Sequence, residues 1–434
     1  MASTESDMDR RAELLYRGLQ PDAAQPWQAS SQSRRHLARQ LRDFAAQIES
    51  QAREMERRAS SAEAPKAPKK PKASAKSGMD FVSYETRFVA LQLLYLGHAY
   101  DGFARQESSP DTIEARLFAA LERTRLLPPG APWQAIRYSR GGRTDRGVSA
   151  RGQVVAMDLR SAARAGEALP GPDAELDYPA LLNRVLPNDI RVTGWCDPRS
   201  PDFSARFSAS HRDYTYTFVS GPGEVLDVAA MREAGAAFLG THDFRNFCKM
   251  DVTQVKTFVR TVLELRLEPA GVTLPGGRTM LVLSLRGTAF LWHQVRCMAA
   301  VLLMVGRGQE PAGIVARLLD VGREPTKPLY TLASEEPLLL AGCAYPSGRA
   351  GLCVGRGHLV RATLLAQVLG TLQEELDSGA CQDRPDARRR KGGPGHVPLL
   401  KRVREPSMEE RLAKLGLSGP GQRPTVDQLG DEGE

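Results

Sequence analysis

The sequence Gly141-Gly142-Arg143-Thr144-Asp145-Arg146-Gly147-Val148-Ser149-Ala150 places one carboxylate between two guanidinium groups, in a stretch bracketed by glycines. Glycine allows turns that other residues avoid and lets a ligand approach the backbone closely. The run QVVAMDL (153–159), which is mostly apolar, follows and predicts a strand. Because neighbouring cations favour an ionised carboxyl group, we expect Asp145 to be charged at ordinary pH and to act as a nucleophile or charge stabiliser. A surface turn with an Asp–Arg ion pair explains the same residues equally well.

Length and charge limit the class of protein. The chain has 434 residues, of which 41% are hydrophobic, enough for about two or three globular domains. Its 59 basic residues outnumber 51 acidic ones, which gives a net charge of +8 and a pI near 9.2. This balance favours a polyanionic partner such as nucleic acid, although an ordinary solvated basic surface has the same composition.

Secreted, zinc-binding and membrane proteins do not fit the sequence. The six cysteines show neither a C-x-x-C pair nor the spacing of metal ligands, so we expect reduced thiols and no metal site. We expect no membrane span, because no run of about 18 apolar residues occurs. Residues 1–10 are rich in acidic residues and lack an apolar stretch, which argues against a secretory signal. We therefore expect an intracellular protein.

The first 79 residues predict two regions outside the core. In the N-terminal extension, 1–58, we expect an amphipathic helix at 34–58 that forms either a short coiled coil or a helix docked on its own domain. Residues 59–79 combine lysine with proline and predict a disordered basic linker, suited to nuclear import or to contacting phosphates. The apolar seam of the helix consists of Leu37, Leu41, Phe44, Ile48 and Met55.

The pattern of elements favours an α+β core. Predicted strands and helices are mixed, with several strands in succession, which is typical of an antiparallel or mixed sheet. One helix is expected to begin with a capping box at Asp111 and Glu114. We expect two halves of the core, 80–222 and 223–346, and then a C-terminal extension, 347–434, that is partly disordered.

Further motifs follow the turn in a fixed order: LPNDI (186–190), FSARFSA (203–209), YTY (214–216), HDF (242–244) and AFLWHQVR (289–296). Together with the turn they resemble the TruA family of tRNA pseudouridine synthases, over about residues 85–345. The details point to the eukaryotic branch that modifies tRNA positions 38 and 39. They lie at 83–87, 106–107, 242–251, 293–298 and 396–402.

The resemblance implies a reaction and a site. The enzyme would be an isomerase that breaks the N1–C1′ bond of uridine, turns the base and joins C5 to C1′. Asp145 would be the essential carboxylate, and attack on C1′ or removal of the 2′ proton are both open. Tyr214 would pack on the target base and help to remove the C5 proton. Arg296 would form a salt bridge with Asp145. Arg143 would orient the substrate beside Asp145, and Leu338 would line the uracil pocket.

The resemblance also implies an architecture and partners. The fold would be an α+β core of two similar halves around a central mixed, mainly antiparallel sheet. The enzyme would act as a homodimer on the anticodon stem-loop of tRNA, without a cofactor or metal, and would flip the paired target base out of its stack. Lys249 would contact phosphates. We expect the protein in the nucleus, the cytoplasm or both, with a mitochondrial pool left open.

Two other functions fit parts of the sequence. A non-catalytic tRNA-binding or folding protein could share the scaffold, but Asp145, Tyr214 and Arg296 together argue against it. A carboxylate glycosidase would need a second carboxylate as an acid beside Asp145, and the sequence offers none at a suitable place. His242 and His293 lie apart from cysteine or carboxylate clusters, so we interpret both as structural.

Overall fold

The computed structural model describes residues 79–106, 109–198, 200–220, 224–253, 255, 257–274, 278–346 and 396–414. The chain divides into two compact units: one comprises 1–80 with 356–373, the other 81–355 with 374–434. The described part belongs to the second unit, apart from residues 79 and 80. The predicted helix at 34–58 and the linker up to residue 78 lie outside the described residues.

A single nine-stranded sheet forms the centre of the second unit. The strand order is β4-β1-β3-β9-β5-β8-β7-β6, and β2 pairs with β3 outside this path. Every pairing is antiparallel except that of β3 with β9. The sequence-based expectation of an α+β fold with a mixed, mainly antiparallel sheet is therefore confirmed. The strands are β1 Tyr84–Tyr95, β2 Ser139–Arg140, β3 Ser149–Arg164, β4 Ile190–Cys196, β5 His211–Val219, β6 Gly240–Asp243, β7 Val259–Leu274, β8 Arg278–Gly287 and β9 Leu338–Ala344.

Six α-helices accompany the sheet in the described part of the chain. None of these is long and apolar enough to cross a membrane. They are α1 Ile113–Arg123, α2 Tyr178–Asn183, α3 Val228–Ala236, α4 Gln294–Gly306, α5 Ile314–Leu319 and α6 Met408–Lys414.

The start of α1 differs from the predicted capping box. Thr112, rather than Asp111, is the N-cap, and its side chain accepts a hydrogen bond from the N–H of Ala115. Glu114 is fully buried and accepts hydrogen bonds from Tyr138 and Arg140 instead of the cap. A long-range ion pair has replaced the local contact that the sequence suggested.

Two large apolar clusters and a third, small one pack on the sheet. The two large clusters lie around different helices. One surrounds α1 and α2 with β1, β3 and β4, and the other surrounds α3, α4 and α5 with β5, β7 and β8. Tyr214 on β5 packs against both clusters. The expected boundary at residue 222 assigns β5 to the first half, whereas β5 pairs with β9 and β8.

The parallel pair β3 and β9 determines where the functional residues lie. Ser149 at the start of β3 pairs with Leu339 near the start of β9, and the adjacent strand β5 places Tyr214 opposite Leu340. The Asp145 turn comes directly before β3. Residues that precede β3 and β9 are consequently brought together at the middle of the sheet.

Part of the C-terminal extension packs on this core. Leu399 is fully buried, and its N–H donates to the buried carboxylate of Glu310 at 2.6 Å. Arg404 forms an ion pair of 2.6 Å with Glu324. Residues 396–414 therefore belong to the folded unit.

Candidate active site

The Asp145 turn is fixed by backbone hydrogen bonds to the segment at 100–103. The N–H of Phe103 donates to the carbonyl of Thr144 at 3.0 Å, and that of Gly147 to the carbonyl of Tyr100 at 3.2 Å. The N–H of Val148 closes the turn on the carbonyl of Asp145 at 3.1 Å. Gly147 has φ +80°, which a residue with a side chain rarely adopts. The turn is thus a rigid platform.

Arg212 clamps the beginning of the same turn. Its guanidinium donates to the carbonyl of Gly141 from Nη2 at 2.8 Å and from Nε at 3.2 Å. It also donates to the carbonyls of Arg206, at 2.5 Å, and Thr288, at 2.8 Å. The planar guanidinium suits such multiple contacts. Sequence reasoning missed Arg212, although it lies only two residues before Tyr214.

Asp145 is mostly buried, with 25% of its side chain exposed. Burial raises its pKa above the ordinary value, and the nearby charge of Glu335 raises it further. Arg296, a hydrogen bond from Trp292 and Lys249 act in the opposite direction. Burial and Glu335 thus raise the pKa of Asp145, and the neighbouring cations and the Trp292 hydrogen bond partly offset this increase.

The arginine that follows Asp145 does not stabilise its charge as expected. The side chain of Arg146 is 81% exposed and pairs with Asp101 at 3.3 Å. The cations that lower the pKa of Asp145 are Arg296 and Lys249, which come from distant parts of the sequence. The local charge pattern was therefore the wrong basis for the expectation of a readily ionised Asp145. Arg143 is partly buried in the turn, and its predicted role stays a prediction.

His293 lies beside Asp145, with 3.6 Å between Nε2 and Oδ2. Burial and the charges of Arg296, Lys249 and Lys327 lower the pKa of His293 to about 4. The imidazole is thus neutral near pH 7, and the contact joins a neutral ring to a carboxylate. His293 was interpreted from the sequence as structural, but the structure places it in the site.

Trp292 completes this side of the carboxylate. Its side chain hydrogen-bonds to Asp145, and its ring remains 45% exposed. The ammonium of Lys249 lies 3.8 Å from the centre of the ring, a cation–π contact. The N–H of Lys249 donates to the carbonyl of Trp292 at 2.9 Å. The sequence signal for Trp292 was its position next to His293 in the AFLWHQVR motif.

Arg296 does not form the expected salt bridge with Asp145. Its Nη2 pairs with Glu335 at 2.7 Å, and its Nε donates to the carbonyl of Ala333 at 2.8 Å. Arg296 reaches Asp145 only as a nearby charge that lowers its pKa. The salt-bridge prediction is therefore wrong for the described structure, because a carboxylate that the motifs do not include binds the guanidinium.

Tyr214 and Leu338 lie on the paired strands β5 and β9, two residue pairs apart. The ring of Tyr214 packs edge-on against Phe290, with 5.2 Å between ring centres. Burial, with the charges of Cys343 and Asp145, raises the pKa of Tyr214, so it is a neutral phenol near pH 7. Leu338 is buried and lies opposite Tyr216 on β5. Tyr214 therefore lies within electrostatic range of Asp145, and the role of Leu338 stays a prediction.

The described residues contain no group of three or more His, Cys, Asp or Glu side chains that could hold a metal ion. His242 contacts its own part of the fold: its Nε2 lies 2.7 Å from the carbonyl of Leu239, and its ring packs against Phe244.

Comparison with known proteins identifies relatives of this chain. The family model "tRNA pseudouridine synthase" matches residues 234–346. Human tRNA pseudouridine(38/39) synthase is 43% identical over 285 residues, which cover 62% of this chain and 58% of that protein. The yeast (Saccharomyces cerevisiae) protein of the same name is 41% identical over 288 residues, 65% of this chain and 61% of that protein. The chain therefore spans about three fifths of these two relatives.

An archaeal relative is covered more completely. tRNA pseudouridine synthase A of Methanoculleus marisnigri is 38% identical over 255 residues, 58% of this chain and 80% of that protein. The chain thus covers four fifths of the length of this relative. The chain belongs to the TruA-type tRNA pseudouridine synthase family.

Proposed function

We propose that this protein isomerises uridine to pseudouridine at positions 38 and 39 of the tRNA anticodon stem-loop. The observation that carries the proposal is the position of Asp145. Its carboxylate is mostly buried on a rigid turn, next to a neutral imidazole and an indole donor, with cations within electrostatic range. The names of the human and yeast relatives support the choice of positions.

The reaction rearranges bonds within one nucleotide. Asp145 either attacks C1′ or removes the 2′ proton, and the electrons of the C1′–N1 bond pass to the uracil ring in either route. The released base turns and C5 attacks C1′. In the first route this attack breaks the ester bond between C1′ and Asp145, and in the second Asp145 returns the proton to C2′. C5 then loses its own proton, and N1 gains one. Both routes need an ionised Asp145, because only the carboxylate has the electron pair.

The surroundings of Asp145 suit these steps. The hydrogen bond from Trp292 orients the carboxylate, and burial keeps it a better nucleophile or base than a fully solvated carboxylate. A Tyr214 phenol with a raised pKa is a poor base, so we assign its ring to packing on the uracil. Leu338, which is also buried, supplies the apolar side of the pocket.

Charge supports an RNA substrate. The chain carries a net charge of +8, and Lys249 places an exposed ammonium at the edge of the site. Such cations position a phosphate backbone without reading its sequence. A uridine in the stem must leave its stack to reach Asp145, so base flipping belongs to the proposal.

Two further proposals concern assembly and location. The family resemblance supports a homodimer in which one tRNA contacts both subunits. The basic stretch 59–79 supports a protein of the nucleus, the cytoplasm or both. Size-exclusion chromatography with light scattering tests the first proposal, and imaging of the tagged chain tests the second.

Chemical mapping of pseudouridine tests the function directly. Full-length protein is incubated with an anticodon stem-loop that contains uridine at 38 and 39, and with variants that retain uridine at only one of these positions. Pseudouridine at these positions is expected, and none elsewhere in the stem-loop. Tight binding without any pseudouridine would instead identify a non-catalytic tRNA-binding protein.

A further inference from the structure

Phe207 has the most exposed aromatic ring in the described part of the chain. Its side chain is 81% exposed, and Trp292, at 45%, is the other exposed residue among the described Phe, Tyr and Trp residues. None of the apolar clusters formed by the described residues includes Phe207. A single exposed apolar side chain is common on protein surfaces, so its surroundings, rather than its exposure, must indicate a function.

The loop that carries Phe207 lies beside the Asp145 turn. Nη2 of Arg212 donates to the carbonyl of Arg206 at 2.5 Å and to the carbonyl of Gly141 at 2.8 Å. Because one nitrogen binds both oxygens, the residue before Phe207 and the first residue of the turn are close neighbours. Phe207 therefore lies at the edge of the candidate active site.

The backbone under Phe207 is held in place. The N–H of Ala205 donates to the hydroxyl of Ser139 at 3.0 Å, and the carbonyl of Ala205 accepts the phenol O–H of Tyr345 at 2.7 Å. Arg212 holds the next carbonyl, as described above. An exposed ring on a backbone that is already ordered loses little conformational freedom when it binds a partner.

A cation accompanies each of the two exposed aromatic rings. The guanidinium carbon of Arg206 lies 5.0 Å from the centre of the Phe207 ring, and the ammonium of Lys249 lies 3.8 Å from that of the Trp292 ring. Trp292 also hydrogen-bonds to Asp145, so both rings border the same site. Aromatic rings beside cations are typical of surfaces that bind single-stranded RNA, since the ring stacks on a base and the cation attracts the phosphates.

We propose, on the basis of the tRNA substrate proposed above, that Phe207 is a platform on which an unpaired base of the anticodon loop stacks while the target uridine lies at Asp145. A base within the stem has both faces covered by its neighbours, whereas a loop base can offer a free face to the ring. Every base has such a face, so the platform adds affinity for the loop without reading its sequence.

The test measures the affinity of the full-length protein for the anticodon stem-loop and for a duplex of the same stem without a loop. Phe207→Ala removes the ring, and Phe207→Trp keeps an aromatic surface. Val225→Ala is the matched control, since Val225 is 90% exposed. It lies two residues before Asp227, whose N–H donates to the carbonyl of Gly306 at the C-terminal end of α4, the end away from His293.

The proposal predicts a loss of affinity that depends on the loop. Phe207→Ala should weaken binding of the stem-loop roughly ten-fold and change binding of the duplex little. Phe207→Trp and Val225→Ala should bind both RNAs as the wild type does. The proposal is overturned if Phe207→Ala binds the stem-loop as tightly as wild type, or loses the same affinity for both RNAs. A changed oligomeric state of Phe207→Ala in light scattering would assign the ring to a subunit contact and overturn it as well.

Abasic nucleotides identify the base that stacks on the ring. Each loop base is removed in turn, and the affinity is measured for the wild type and for Phe207→Ala. At the stacked position the removal should weaken binding of the wild type roughly ten-fold and leave that of Phe207→Ala unchanged, because the contact is already lost. Additive losses at every loop position would contradict a stacked base.

These binding measurements separate the platform from the proposed function, because they do not depend on isomerisation. A loop-dependent loss of affinity in Phe207→Ala supports the platform even if uridine is not isomerised. Formation of pseudouridine together with a stem-loop affinity that is independent of Phe207 would leave the proposed function standing and overturn the platform.

Discussion

The imidazole of His293 lies 3.6 Å from the carboxylate of Asp145 and is neutral near pH 7, since its pKa is lowered to about 4. The residue adopts φ 63°, which places the ring at the N-terminus of α4. A neutral ring at this distance limits the access of water to Asp145 without cancelling its charge.

This lowered pKa makes His293 a source of acid sensitivity. The unfolded chain takes up a proton on this residue near pH 6.5, and the folded chain does so only near pH 4. Folding stability should therefore fall as the pH drops from 6.5 towards 4, by up to about 3 kcal/mol for this group. Urea unfolding across this range should show a smaller decrease for His293→Asn, because Asn tolerates the left-handed backbone and does not titrate. A decrease in His293→Asn as large as that of the wild type would contradict this assignment.

We expect the ionised Asp145 carboxylate to destabilise the folded protein at neutral pH. Its pKa is raised in the folded protein, so the folded state favours the neutral form and loses this advantage as the pH rises through the folded pKa. Asp145→Asn is therefore expected to be at least as stable as wild type at pH 7, with a difference that grows from low to neutral pH. Asp101→Asn, which breaks an exposed ion pair, should change stability little. A marked loss of stability in Asp145→Asn at pH 7 would contradict this account of the site.

Arg296 should be energetically coupled to Glu335 more strongly than to Asp145. A double-mutant cycle of Arg296→Ala and Glu335→Ala is expected to give a coupling of about 1–2 kcal/mol in the free energy of unfolding, because only this pair is in contact. The corresponding cycle with Asp145→Ala should give a smaller value. The reverse order would show that Arg296 pairs with Asp145 in solution.

Arg212 should be essential for holding the turn. Arg212→Lys keeps the charge but loses the planar fork that reaches the carbonyls of Gly141, Arg206 and Thr288. We expect a loss of about 2 kcal/mol in stability and a lower kcat, measured by denaturant unfolding and single-turnover assays. Arg151→Lys is the matched control, since Arg151 is exposed and, among the described residues, hydrogen-bonds to the carbonyl of Ala341. Equal effects of the two substitutions on stability and rate would contradict the role of Arg212 in holding the turn.

The sequence was informative where the pattern is local. The mixture of predicted strands and helices indicated the fold class, and motif order pointed to Asp145, Tyr214, Arg296 and Leu338. Asp145 directly precedes β3, Leu338 begins β9 and Tyr214 lies opposite Leu340. Arg296 acts on Asp145 as a nearby charge. Local charge was misleading, because Arg146 faces solvent next to Asp145.

Long-range contacts were beyond the reach of sequence patterns. Glu335 lies 39 residues from Arg296 in the chain, and Arg212 lies 71 residues from Gly141. Neither spacing has a periodicity that a pattern could reveal, because each contact depends on how the strands align. The role of His293 was missed for the same reason: its contact with Asp145 exists only once α4 is placed beside the turn.

The release of tritium from [5-³H]uridine in the stem-loop tests the central claim, because C5 must lose its proton when it joins C1′. Under single-turnover conditions the wild type should release tritium stoichiometrically from positions 38 and 39. Asp145→Asn should release less than about a hundredth as much, a loss of the size expected for an essential catalytic group, and should bind the RNA within a few-fold of wild type. Release by Asp145→Asn at a rate near that of the wild type would contradict the assignment of Asp145 as the catalytic carboxylate.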